Sequence, residues 1–159
     1  ICSMKEFKLI PKAIEALLAL QNHYQLFIIT NQSGVARQEF SEDKLINFNK
    51  EIEDFLKQKS IIIQKTYYCP HLREDNCHCH KPRPYFMKQA AQDYNINLKE
   101  SCVIGDHPHD VEMGLNLGAK SIYVLTGHGE KHRHQQNQAD LIADDLWQAC
   151  QWILERETI

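Results

Sequence analysis

The sequence predicts an α/β protein built on a parallel sheet with helices on both faces. Short apolar runs rich in β-forming residues alternate along the chain with longer segments that have apolar residues at helical spacing. Strands joined through helices run parallel, because the helix returns the chain to the same end of the sheet. A length of 159 residues suits one such domain. We therefore expect a single domain over residues 1–159, with a metal-binding loop at 69–79.

The first half of the chain predicts two helices and two strands. Residues 11–24 begin with a proline and have apolar residues at near-helical spacing, which predicts a helix. Residues 25–30 (QLFIIT) form a buried strand. A polar loop covers 31–40. Residues 41–57 form a helix, because the opening serine can cap it, acidic residues occupy the first turn and an apolar stripe follows. Residues 61–68 form the second strand.

The second half predicts three helices and two strands. A proline opens a helix at 85–94, and the run SCVIG at 101–105 is a strand. Residues 111–117 form a helix that a glycine closes. The run SIYVL at 121–125 is the last predicted strand, and 145–156 is the last predicted helix.

Composition excludes several classes of function. A net charge of -3 with scattered basic residues gives no footprint for nucleic acid. The longest apolar run, residues 16–20, is far too short to cross a membrane. No basic and then apolar leader opens the chain. These features favour a cytoplasmic protein with a small-molecule partner.

Four potential metal ligands lie within eleven residues. Three thiols and an imidazole complete a tetrahedral zinc site with no open position, which is typical of a structural ion. The predicted ligands are Cys69, His71, Cys77 and Cys79. Two alternatives remain: His78 or His80 replaces one ligand, or the cysteines are free thiols in an exposed loop.

Polar residues at the ends of other strands are candidates for chemistry, because sites in parallel sheets lie at the carboxyl ends of strands. The run 30–34 (TNQSG) offers hydroxyl, amide and backbone N–H groups as a neutral anion cradle, although such residues also form ordinary turns. Lys81 follows the loop 69–79 as a point charge suited to a phosphate or a carboxylate, although a lone lysine is more often a solvated surface charge. Asp106 and Asp110 could hold Mg²⁺ through oxygen, or Asp110 could cap the next helix.

The segment 127–139 (GHGEKHRHQQNQA) is predicted to be the one long loop, and it is polar. Its His128, His132 and His134 could bind a metal or a substrate. A solvated loop is the favoured interpretation.

Four motifs in order resemble the haloacid dehalogenase (HAD) superfamily of phosphohydrolases. They are TNQSGVAR at 30–37, the Cys and His loop, Lys-Pro at 81–82 and Gly-Asp-x-x-x-Asp at 105–110. They look like the branch that hydrolyses a heptose bisphosphate or histidinol phosphate, and Thr126-Gly127 leans towards the sugar bisphosphate. The resemblance implies a Rossmann-like fold and Mg²⁺-dependent hydrolysis of a phosphomonoester through an aspartyl-phosphate.

The resemblance also implies residue roles. Thr30 and Asn31 would bind the transferring phosphoryl group, and Lys81 would neutralise charge on it. Asp106 would ligate Mg²⁺ with support from Asp110, while the Cys and His loop would hold zinc. The residues expected near the substrate are Gln32, Ser33, Arg37 and His80.

Three features depart from the family pattern. His80 stands where the branch usually has arginine, and His107 stands where the family often has lysine or arginine. No Asp-x-Asp, the family's motif for the nucleophile, occurs in the 159 residues. We therefore expect the first strand of the family fold to be missing from this chain and the chain to hydrolyse phosphomonoesters poorly or not at all. We also expect either marginal folding or pairing with a second copy across the gap. A non-catalytic zinc- or phospholigand-binding protein of the same fold is the alternative class.

Overall fold

Both sheets of the protein are parallel in the computed structural model, which describes residues 2–135 and 138–157. The chain divides into two units, Ile1–His80 and Lys81–Ile159. The first contains a two-stranded sheet and the second a three-stranded sheet. The predicted α/β class with parallel strands is confirmed. The single domain over 1–159 stays a prediction.

The first unit has two helices and two strands, close to the predicted bounds. In chain order they are α1 (Ala13–Leu20), β1 (Leu26–Asn31), α2 (Glu42–Gln58) and β2 (Ile63–Cys69). The register pairs Thr30 with Tyr68 and Asn31 with Cys69. The two strands therefore end level, which brings the start of the polar turn beside the first predicted metal ligand.

Helix α2 is capped as the sequence predicts. The Ser41 hydroxyl accepts a hydrogen bond from the backbone N–H of Lys44 at 3.2 Å. The apolar stripe of the helix packs through Leu45 and Phe48 against Cys2 near the chain start. Leu45 is fully buried, whereas its neighbour Ile46 is 45% exposed.

Four α-helices and three strands lie in the described part of the second unit. They are α3 (Tyr85–Tyr94), β3 (Cys102–Gly105), α4 (Pro108–Leu115), β4 (Lys120–Val124), α5 (Gly129–His132), β5 (Leu141–Ala143) and α6 (Leu146–Glu157). The strand order is β3–β4–β5. Four successive residues of β4, from Ser121 to Val124, are buried. Both faces of this central strand are therefore covered, because successive side chains point to opposite faces.

Three predictions for this unit need correction. Helix α4 begins at Pro108 instead of residue 111, because proline suits the first helical position and His107 supplies the N-cap. The segment 127–139 is not simply a loop, since it contains α5 and a 3₁₀ turn at Arg133–Gln135. Strand β5 was missed, because a three-residue run carries too little pattern to identify it.

No helix in the described part of the chain has the length and apolar character needed to cross a bilayer.

Replacing Leu45 with alanine should destabilise the protein by about 2–5 kcal/mol, because it removes buried methyl groups and leaves a cavity. The matched control is Ile46→Ala on the exposed side of the same helix, which should cost less than about 0.5 kcal/mol. Urea denaturation followed by circular dichroism measures both. Equal losses for the two variants would contradict the assigned core face of α2.

Candidate functional site

The four predicted metal ligands lie together in the first unit. The ligand atoms of Cys69, His71, Cys77 and Cys79 are all within 4.8 Å of one another. The Cys69 Sγ is 3.5 Å from the Cys77 Sγ and 3.7 Å from the His71 Nδ1. The Cys79 Sγ is 3.6 Å from the Cys77 Sγ and 3.5 Å from the His71 Nδ1. Zinc bonds of about 2.0–2.3 Å in a tetrahedron require ligand separations of roughly 3.4–3.8 Å, so this donor set fits zinc.

The loop brings its two pairs of ligands together through a reversal at its centre. A 3₁₀ turn, Arg73–Asp75, is closed by the Asp75 carboxylate, which accepts a hydrogen bond from the Leu72 N–H at 2.8 Å. Asn76 then adopts a left-handed conformation with φ of 49°. The reversal returns the chain so that the second ligand pair meets the first.

The alternative ligands His78 and His80 are not members of this cluster. The His80 Nδ1 lies 3.3 Å from the Asn31 side-chain nitrogen. His80 therefore links the loop 69–79 to Asn31, the last residue of β1. The distances among the cluster thiols match a metal site better than a set of unrelated thiols.

Burial raises the pKa of the Cys69 thiol well above its usual range in the absence of a cation. A metal must therefore displace a proton from this side chain when it binds, because the thiolate is the ligand.

The polar turn after β1 is hydrogen-bonded to the metal loop. The Gln32 N–H donates to the Cys69 carbonyl at 2.7 Å, and the Ala36 N–H donates to the Pro70 carbonyl at 3.2 Å. The Gln32 amide also donates to the Thr30 hydroxyl at 3.2 Å. The predicted anion cradle therefore takes its shape from the loop that the metal ligands fold.

Arg37 is held on this same turn by two neighbours. Its Nη1 donates to the Ser33 hydroxyl at 2.7 Å, and its Nε donates to the Glu39 carboxylate at 2.6 Å. The hydrogen bond from Arg37 is the main reason that the pKa of Glu39 is lowered. Arg37 and Ser33 are predicted from the sequence, whereas Glu39 is not, although its position two residues after a candidate arginine is a usable signal.

In the second unit, Lys81 forms a buried ion pair. Its Nζ lies 2.7 Å from the Asp110 Oδ1, and the two side chains are only 15% and 9% exposed. The other Asp110 oxygen accepts a hydrogen bond from the His107 N–H at 3.2 Å, which closes a capping box at the start of α4. A Cβ at Gly105 would lie 2.3 Å from the Asp110 side chain, so glycine is needed there for the carboxylate to approach the strand end.

Asp106 has more open surroundings. Its Oδ2 accepts a hydrogen bond from the His128 N–H at 2.8 Å, and its side chain is 36% exposed. The His128 ring, 77% exposed, lies with its Nδ1 3.7 Å from the same oxygen. The His132 ring packs against the His107 ring, with 5.1 Å between the ring centroids. Of the three histidines predicted to lie in a solvated loop, His128 and His132 thus have contacts near the end of β3. His134 is exposed.

The His107 ring is half-buried at the start of α4. Burial lowers the pKa of the ring, outweighing the attraction of Asp110. The His107 Nδ1 accepts a hydrogen bond from the His109 N–H at 3.3 Å. Burial and this hydrogen bond both favour the neutral ring, unlike the lysine or arginine expected at this position from the resemblance.

Comparison with known proteins shows the family. The family described as HAD-hydrolase-like matches residues 78–149. A D-glycero-D-manno-heptose-1,7-bisphosphate 7-phosphatase from Chlorobaculum tepidum is 34% identical over 94% of this chain and 82% of its own length. The chain belongs to the HAD-like phosphatases.

Two further proteins are similar to nearly the whole chain. A heptose bisphosphate phosphatase from Neisseria meningitidis is 29% identical over 98% of this chain and 86% of its own length. The crystal structure of D,D-heptose 1,7-bisphosphate phosphatase from B. bronchiseptica, complexed with magnesium and phosphate, has a TM-score of 0.89. It is 26% identical and covers 98% of this chain and 89% of its own.

Replacing Asp110 with asparagine should lower the free energy of unfolding of this HAD-like chain by about 3 kcal/mol, because it leaves the buried Lys81 ammonium without its carboxylate. Chemical denaturation at neutral pH measures the loss. The control is Glu130→Gln, which removes the exposed Glu130–Arg133 pair and should change stability by less than about 0.5 kcal/mol. A change at Asp110 as small as the control's would show that the pair is not buried in solution.

Proposed function

We propose that this chain belongs to a Mg²⁺-dependent phosphatase that acts on a sugar bisphosphate of the heptose 1,7-bisphosphate type. The single observation that supports this substrate is that relatives aligned with nearly the whole chain are named heptose-1,7-bisphosphate 7-phosphatases. The B. bronchiseptica neighbour, which bound magnesium and phosphate, supports the metal and the ligand class. Histidinol phosphate, the other substrate that the motifs suggested, has no such support among these relatives.

Asp106 is the proposed Mg²⁺ ligand. Its carboxylate is held by one backbone N–H and remains one-third exposed, so oxygen is available to a hard cation. Asp110 supports the site in a different way, because both of its oxygens are occupied by Lys81 and His107. Mg²⁺, when bound, neutralises charge on phosphoryl oxygens.

Lys81 supplies a fixed positive charge for the phosphoryl group in this proposal. The ion pair with Asp110 sets the direction of its ammonium before any ligand arrives, and its burial strengthens its electrostatic effect. Thr30 and Asn31 bind the transferring phosphoryl group through hydroxyl and amide hydrogen bonds. The residues proposed to contact the remainder of the substrate are Gln32, Ser33, Arg37 and His80.

The cluster of Cys69, His71, Cys77 and Cys79 is proposed to hold a structural Zn²⁺. Four protein ligands leave no open position for a substrate or water, so the ion shapes the loop and takes no part in the chemistry. We infer a reducing, cytoplasmic location, because the spacing of the cysteines and histidine at 69–79 is typical of metal binding and not of disulfides.

The protein should contain about one zinc per chain, and Cys77→Ser should reduce this content strongly, because a three-ligand site binds less tightly. Elemental analysis after dialysis measures the ratio, and Co²⁺ substitution tests for tetrahedral geometry by absorbance. The control is Cys102→Ser, which removes a thiol outside the cluster and should leave zinc unchanged. Full zinc content in Cys77→Ser would disprove the assigned ligand set.

The choice of substrate should be tested by binding as well as by turnover. Binding does not require the nucleophile of the family's Asp-x-Asp motif, which this sequence does not contain. Calorimetry with Mg²⁺ should show tighter binding of heptose 1,7-bisphosphate than of histidinol phosphate. Lys81→Ala should weaken the sugar bisphosphate about 10- to 100-fold, as expected for hydrogen bonds to a charged group. The exposed Lys88 on α3 gives a matched control, Lys88→Ala, with no expected effect.

Three outcomes of this test would contradict part of the proposed function. Tighter binding of histidinol phosphate would select the other substrate. Binding that is unaffected by Lys81→Ala would remove Lys81 from the site. Firm binding of a phosphorylated ligand without turnover, even when phosphate release is followed at high protein concentration, would favour the non-catalytic binding protein.

A further inference from the structure

Asp106 owes its position to a single tight turn. The turn runs from Thr126 to Gly129 and is closed by the Gly129 N–H, which donates to the Thr126 carbonyl at 2.9 Å. The His128 N–H at its centre is the group that donates to the Asp106 Oδ2 at 2.8 Å. Any movement of this turn therefore moves the hydrogen bond that orients the carboxylate.

The turn is shaped to approach the carboxylate closely. Gly127 has φ of 62°, and His128 has φ of -90° with ψ of -1°. These dihedral angles fit a type II′ turn, which favours glycine at its first central position. A Cβ on Gly127 would lie 2.1 Å from the Asp106 Oδ2. Glycine is thus required both by the backbone conformation and by the space that Asp106 occupies.

A buried tyrosine fixes the far end of the turn. The Tyr123 side chain is fully buried on the central strand β4, and its hydroxyl donates to the Gly129 carbonyl at 2.7 Å. A Cβ on Gly129 would lie 2.0 Å from the Val124 carbonyl, so this residue also sits directly against the strand. Burial, with Asp106 as the next contributor, raises the pKa of Tyr123, so the hydroxyl remains a hydrogen-bond donor at neutral pH.

We propose that Tyr123 is a positioning residue for the Asp106 carboxylate. Its hydroxyl holds the turn, the turn holds the His128 N–H, and that N–H orients the oxygen offered to a divalent cation. The proposal rests on the proposed function in one respect, namely that Asp106 is a Mg²⁺ ligand. It adds to the site a residue that never touches metal or substrate and that sets the affinity for the cation.

The test compares the unmodified chain with Tyr123→Phe, which keeps the ring in place and removes one hydroxyl. Mn²⁺, a spectroscopic substitute for Mg²⁺, is titrated by electron paramagnetic resonance, and amide hydrogen exchange at His128 is followed by NMR without metal. We expect the Mn²⁺ dissociation constant to rise about three- to tenfold, the effect of one lost hydrogen bond, and the His128 amide to exchange several-fold faster. Tyr67→Phe, another buried tyrosine on β2, is the matched control and should change neither measurement.

The outcomes separate this proposal from the proposed function. Unchanged Mn²⁺ affinity and unchanged His128 exchange in Tyr123→Phe would overturn the positioning role, even if the variant melts at a lower temperature. If Asp106→Ala binds Mn²⁺ as the unmodified chain does, Asp106 is not the ligand and the metal role given to it fails. In that case faster His128 exchange in Tyr123→Phe would still support the coupling of Tyr123 to the turn.

Discussion

The first unit is organised around four side chains whose ligand atoms lie at the spacing of a tetrahedral metal site. The loop between β2 and His80, which joins them, contains one short 3₁₀ turn, Arg73–Asp75. An ion bound by the three sulfurs and the imidazole nitrogen would fix the shape of this loop. The carbonyls of Cys69 and Pro70 then hold the turn that follows Thr30. An ion with no open coordination position would thus determine where the polar turn 30–34 lies.

The second unit relies on two neighbouring carboxylates that the fold assigns to different partners. Asp110 is buried, and its oxygens hold the Lys81 ammonium and the start of α4. Asp106 is more exposed and has a backbone N–H as its partner, which leaves oxygen for a cation. Gly105 and Gly127 allow these approaches, since a Cβ at either position would overlap a carboxylate. The buried carboxylate of Asp110 is therefore structural, and the more exposed carboxylate of Asp106 is available to a cation.

The sequence predicted most elements because their patterns are local. The stripe and serine cap of α2 and the apolar runs of β1 and β4 each depend on residues close together in the chain. Strand β5 was missed since three residues cannot display a period, and its pairing with β4 is a long-range contact. Helix α4 starts earlier than predicted because Pro108 occupies its first position and Asp110, in the first turn, closes a capping box with the His107 N–H.

The sequence by itself indicated the four candidate metal ligands, the order of most strands and helices and the family motifs, because ligand spacing, periodicity and short motifs are properties of residues close together in the chain. Only the tertiary structure decided that Asp110 pairs with Lys81, that the His107 ring is half-buried and that Tyr123 supports the turn at Asp106. These features depend on burial and on which side chains meet after folding. A charge pattern along the chain does not specify either one.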